Sequence, residues 1–165
     1  MAKRRVFYSF HYKKDVMRAS IIRNIGVIEG NSIVSDNDWE KVKIGGDTAI
    51  ERWIDDNMNG CSCLVVLIGE DTAKRKWVKY EIEKAWNDGK GVVGIYIHNI
   101  IRYDASGYCH QGNNPFDNSF FNRKRLSSYI QCFNPKDDDA YNDIANNLER
   151  LVEKAITNRQ KSHCS

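Results

Sequence analysis

The stretch Cys63–Ile68 (Cys-Leu-Val-Val-Leu-Ile) is apolar at every position. A strand with one wet face alternates polar and apolar side chains, whereas an unbroken run suits a strand buried on both faces. Such sheets are parallel and covered by helices, so this segment alone points to an α/β fold. Val92–Ile97 repeats the pattern, and Arg5–Phe10 is a third strand rich in β-formers. Segments of helical period lie between them. Asp15–Ile28 places Val16, Ala19, Ile22 and Ile25 on one stripe. Gly45–Met58 does the same with Ile50, Trp53, Ile54 and Met58, and Thr72–Asp88 forms a third helix. Ser32–Val34 reads as a short strand, Ser35–Trp39 as a loop and Leu126–Phe133 as a last strand. Asp137–Lys161 reads as a final helix.

Strands alternating with helices require crossover connections and hence a parallel sheet. Five strands in this order predict a flavodoxin-like, three-layer α/β fold with the order 2-1-3-4-5. The ligand crevice then lies at the carboxyl ends of strands one and three, where the order reverses. With 165 residues, one domain is expected over 1–165, with an irregular insertion at about 98–124.

Several function classes drop out. The longest run free of Asp, Glu, Lys and Arg is Asn57–Gly69, 13 residues, against the ~20 a spanning helix needs. No membrane association and a cytoplasmic location are therefore expected. The net charge of +3 is mild, and no nucleic-acid partner is expected. The charge is uneven, since Lys3, Arg4, Arg5, Lys13, Lys14, Arg18 and Arg23 face only Asp15 within residues 1–28. Strand direction puts Lys3–Arg5 at the wrong end of the sheet for the crevice, leaving Lys13 and Lys14 near it. Cys61-x-Cys63 lacks a second ligand pair, so no metal site is expected. Strand one is not followed by G-x-G-x-x-G, a P-loop or the paired acids of a phospho-receiver, although Asp71 loosely matches that class's acceptor.

The sharpest signal is Lys76-Trp77-Val78-Lys79-Tyr80-Glu81-Ile82. With Val78, Ile82, Ala85 and Trp86 facing the core, Trp77 and Glu81 share the neighbouring flank, one turn apart. The helix follows strand three, so the pair lies near the crevice mouth. Phe10 and Trp77 either stack on a ring of a ligand or belong to the core. Ser9 and His11 are placed to hydrogen-bond a ribose or phosphate, His11 being equally readable as an exposed loop residue. Tyr80 packs beside them.

These residues resemble a known family. Arg5–Phe10 with Asp15 looks like the opening strand of a TIR-type domain, and Arg75–Ile82 like its W-x-x-x-E segment. The ordered set of Val6–Tyr12, Arg23-Asn24, Trp39-Glu40 and Arg75–Ile82 is similar to the TIR-like proteins of the bacterial Thoeris anti-phage defence system. Cys63–Gly69 and Asn114–Asp117 add to it, and the likeness covers roughly residues 3–120. The resemblance implies an enzyme that cleaves NAD at the nicotinamide–ribose bond after phage sensing and releases a cyclic ADP-ribose isomer. That messenger would activate a separate effector protein. NAD would be a substrate, with no cofactor. Glu81 matches the catalytic glutamate of the motif. A phage-derived activator and self-association are further implied partners. The alternative is a non-catalytic adaptor that works through self-association alone.

Overall fold

The structure is a computed structural model that describes residues 3–31, 42–104 and 107–163. The two unbroken apolar runs form its centre. β3 (Cys63–Ile68) and β4 (Gly91–Tyr96) are buried at all six positions each and run parallel, in register from Cys63 opposite Gly91 to Ile68 opposite Tyr96. β1 (Arg5–Ser9) lies parallel on the other side of β3, from Val6 opposite Cys63 to Ser9 opposite Val66. Two short strands complete the sheet: β2 (Glu29–Gly30) against β1 and β5 (Cys132–Phe133) against β4. The order is β2-β1-β3-β4-β5, all parallel, as the flavodoxin-like reading requires.

Alternate residues feed two cores. Phe7, Leu64, Val66 and Ile68 pack with α2 (Gly46–Met58) and α3 (Lys76–Asn87). Val6, Tyr8, Val65, Leu67, Val93 and Ile95 pack with α1 (Tyr12–Arg23) and α4 (Ala140–His163). α4 presents Ile144, Leu148, Leu151, Val152 and Ala155. No helix among the described residues is long and apolar enough to cross a membrane.

Local chemistry shifts several element ends. α1 begins at Tyr12 and stops at Arg23, well before Ile28. His11 caps its start, and Gly26 turns the chain away at φ +80°. The expected helix Thr72–Asp88 is split. Thr72–Lys74 forms a 3₁₀ turn, Arg75 is extended, and α3 begins at Lys76. Thr72 causes the break: its buried Oγ1 accepts from the Gly69 N–H at 2.8 Å and donates to the Leu67 carbonyl at 3.4 Å, folding the turn back on β3. Leu126–Phe133 is extended only at Cys132–Phe133, because Leu126–Ser128 also makes a 3₁₀ turn. The final helix starts at Ala140, just past the acidic run Asp137–Asp139. The expected strand Ser32–Val34, the loop Ser35–Trp39 and the Trp39-Glu40 stretch lie outside the described residues. The expected irregular stretch 98–124 contains two short antiparallel pairings, Tyr103–Asp104 with Gly107–Tyr108 and Phe120–Phe121 with Lys124–Arg125.

Candidate active site

β1 ends at Ser9, and α3 passes beside that end. Residue 9 shares the sheet face of Phe7, the face covered by α3. The Ser9 hydroxyl donates to Glu81 Oε1 at 3.2 Å. Both groups are buried: Ser9 is 1% and Glu81 7% exposed. α3 buries Glu81 on the same stripe as Val78, Ile82 and Ala85, so a carboxyl occupies a position that an apolar residue would normally fill.

Burial drives the chemistry of this carboxyl. Desolvation pushes Glu81 up to about 8, with the Ser9 hydrogen bond opposing it. Near pH 7 the group is therefore largely protonated and is poised to ionise when a positive charge arrives beside it. The effect on stability has a definite sign. The folded pKa lies above the ordinary value of 4.5, so Glu81's contribution is complete below pH 4.5 and is lost as pH rises through about 8. Thermal melts between about pH 5 and pH 8 should show wild type losing stability more steeply than Glu81→Gln; parallel curves would contradict the burial.

The rim is built by α1 and the turn after β3. His11 Nδ1 accepts from the Lys14 backbone N–H at 3.3 Å. That bond makes Nδ1 the acceptor and leaves the ring proton on Nε2. Burial, then the nearby Arg75 charge, lower the His11 pKa, so the ring is neutral near pH 7 and offers a single donor. Lys14 Nζ lies 3.1 Å from Glu70 and 2.8 Å from Asp71, tying the two lips of the crevice together. Asp71 is held below the usual carboxylate range by Lys14 first and Lys74 second. Arg4 lies at the opposite end of the strands, paired with Glu153 at 2.7 Å.

The remaining sequence candidates are dispersed. Phe10 packs against the α1/α4 core and stacks on Tyr12, with ring centroids 6.1 Å apart. Trp77 is half-buried against the other core, edge-on to Tyr80 at 5.6 Å, with Lys76 over its ring. The Tyr80 hydroxyl donates to Asp55 of α2 at 2.9 Å, so its polar end points to α2 rather than to Ser9. The structure thus brings Ser9 and Glu81 together, sets His11 at the mouth, packs Trp77 against Tyr80 and turns the Tyr80 hydroxyl toward α2.

Three buried polar residues escape a reading by periodicity. Asp15 and Arg18, 0% and 2% exposed, form an ion pair of 2.9 Å inside α1. Their i, i+3 spacing was the available signal, but it looks the same on a solvated helix face. His98 follows β4 at the carboxyl edge of the sheet, 6% exposed, and its Nδ1 has no partner among the described residues. A polar residue closing an apolar strand was its signal.

A parallel sheet ordered 2-1-3-4-5, with a buried carboxyl on the helix after β3 where the order reverses, is consistent with a TIR-like α/β domain. The family model described as "Thoeris protein ThsB, TIR-like domain" matches residues 7–101, more than half of the chain, and the chain belongs to that family. A Bacillus cereus (strain MSX-D12) protein provisionally named cyclic ADP-D-ribose synthase ThsB1 is 38% identical over 122 residues. The match covers 71% of this chain and 62% of that relative.

Proposed function

We propose that this chain consumes NAD, breaking the bond between nicotinamide and ribose and closing the remainder into a cyclic ADP-ribose isomer that activates a separate effector. The observation that carries the reading is the buried Glu81 carboxyl, held by Ser9 at the crevice where the strand order reverses. Family membership and the name of the Bacillus relative support it.

The chemistry needs little from the protein. An ordinary glycosidase uses two carboxyl groups, because its leaving group must be protonated. Nicotinamide in NAD is already cationic and departs as a neutral molecule, so one carboxylate suffices. Glu81, neutral in the empty site, loses its proton when that cation docks beside it. Its charge then stabilises the oxocarbenium ion that develops as the bond breaks. Ser9 orients the carboxyl, and the His11 Nε2–H is available to a ribose or phosphate oxygen. NAD enters as substrate, and no cofactor is invoked. Activation by a phage-derived component and self-association belong to the same proposal.

The direct test incubates the protein with NAD, with and without extract of phage-infected cells, and follows products by mass spectrometry. Nicotinamide and a cyclic product are expected. Intact NAD in every activated sample would leave only the adaptor reading. The hydrogen bond predicts a second result. Ser9→Ala removes a bond to a charged group worth roughly 1.5–3 kcal/mol, so the rise of kcat/KM with pH should shift alkaline by about 1–2 units. An unshifted profile would mean that Ser9 does not hold the reacting carboxyl.

A further inference from the structure

The stretch between β4 and Phe116 takes an unusual route. Ile97 packs with α1 and α4 on one face of the sheet, while Phe116 is buried with α2 and α3 on the other. The chain between them must therefore pass around the carboxyl edge, the edge that carries the crevice. Two of its fastenings hold it to α1 and to the end of β3. Arg18 reaches out of α1 to hold its first part: Nε donates to the Ile101 carbonyl at 3.2 Å, Nη2 donates to the same oxygen, and Nη2 pairs with Asp104 at 3.1 Å. Asp15 anchors Arg18 from behind, through Nη1 at 2.9 Å. The second fastening is backbone on backbone. A Cβ on Gly112 would lie 2.0 Å from the Gly69 carbonyl oxygen and 2.9 Å from that of Glu70. Only glycine lets the chain sit this close to the end of β3. Gly69 is closed from its other side too, since a Cβ there would lie 2.1 Å from Asp15 Oδ2.

The seat lies beyond the carboxyl end of the strand that runs beside Ser9: Ser9 is in register with Val66, and Gly69 and Glu70 follow Ile68, the last residue of β3. Glu70 also carries the Lys14 contact at the mouth. Residues 98–104 and 107–114 thus form a wall of the crevice on its β3 side, held by a buried guanidinium and a glycine seat.

We propose that this wall, seated by Gly112 on β3 and pinned by Arg18, excludes water from the crevice and so sets the ratio of cyclic to linear product. The inference rests on the NAD-cleaving reading. In the first step the ribose C1′–nitrogen bond breaks and its electron pair leaves with nicotinamide. The oxocarbenium carbon then has two fates. A ribose hydroxyl or an adenine nitrogen of the same molecule bonds to it, a captured hydroxyl losing its proton, and the product is cyclic. Alternatively a water oxygen bonds to it and loses a proton, giving linear ADP-ribose. Excluding water and holding the chain folded both favour the first fate.

The test compares wild type, Gly112→Ala and Asp104→Asn, each checked by a thermal melt and run with NAD and infected-cell extract. Cyclic and linear products are counted by mass spectrometry at equal NAD conversion. Gly112→Ala must lift the wall off Gly69, and its cyclic-to-linear ratio should fall by about tenfold or more while NAD consumption continues. Asp104→Asn, which weakens one outer contact of Arg18, should lower the ratio in the same direction by less. If Gly112→Ala does not fold, Asp104→Asn decides. Folded variants that keep the wild-type ratio overturn the wall's role. A wild type that makes linear product alone overturns it while leaving cleavage standing. A wild type that leaves NAD intact sinks both.

Discussion

Replacing Glu81 with Gln should slow NAD cleavage by roughly 10²–10³-fold, about 3–4 kcal/mol of transition-state stabilisation. Gln keeps the length and shape of Glu and still accepts a hydrogen bond from Ser9, so the fold should survive. What disappears is the capacity to become negative. The loss should fall on kcat more than on KM, because the role proposed for the ionised carboxyl is to stabilise the charge that moves onto the ribose as the bond breaks. Steady-state kinetics on the activated protein check this split. A variant that loses only affinity would make Glu81 a binding residue and return the chemistry to another group.

The second large effect concerns Arg18. Removing one partner of a buried ion pair costs about 3–5 kcal/mol, since the other charge stays behind without compensation. Arg18→Met strands Asp15, which is 0% exposed and has one carboxylate oxygen, Oδ2, already without a partner among the described residues. At this chain length, the melting temperature should fall by roughly 10 °C near neutral pH. Burial already raises the Asp15 pKa, with Arg18 opposing the rise. Without Arg18 the folded pKa climbs further above its ordinary value of 3.8. The variant should therefore recover stability as pH falls and Asp15 takes up a proton. Adding Asp15→Asn should restore much of the loss, so the two changes together cost less than their sum. Additive costs would mean that the pair is not coupled.

The strands at the centre of this fold were legible because each carries its own evidence. Cys63–Ile68 and Val92–Ile97 are apolar without interruption, and only a doubly covered sheet accommodates two such runs. Strand order followed from topology. The break at Arg75 was hidden, because it depends on Thr72 folding back to Gly69, a contact between side chain and backbone that periodicity does not record. The site was legible one residue at a time but not as an arrangement. Glu81 was marked by its place beside the core stripe, yet its partner Ser9 lies 72 positions away. Tyr80 looked like a neighbour of the site, whereas its hydroxyl is committed to Asp55. Arg18 stood in the sequence only as one more charge of a basic end, and the three-dimensional chain shows it buried and bonded to the Ile101 carbonyl.

The most direct test of the proposed chemistry is nicotinamide release from NAD by wild type and Glu81→Gln, prepared and activated together and read by mass spectrometry. Steady release by wild type and near silence from Glu81→Gln is the expected result. Equal release by the two proteins would contradict the role assigned to the buried carboxyl.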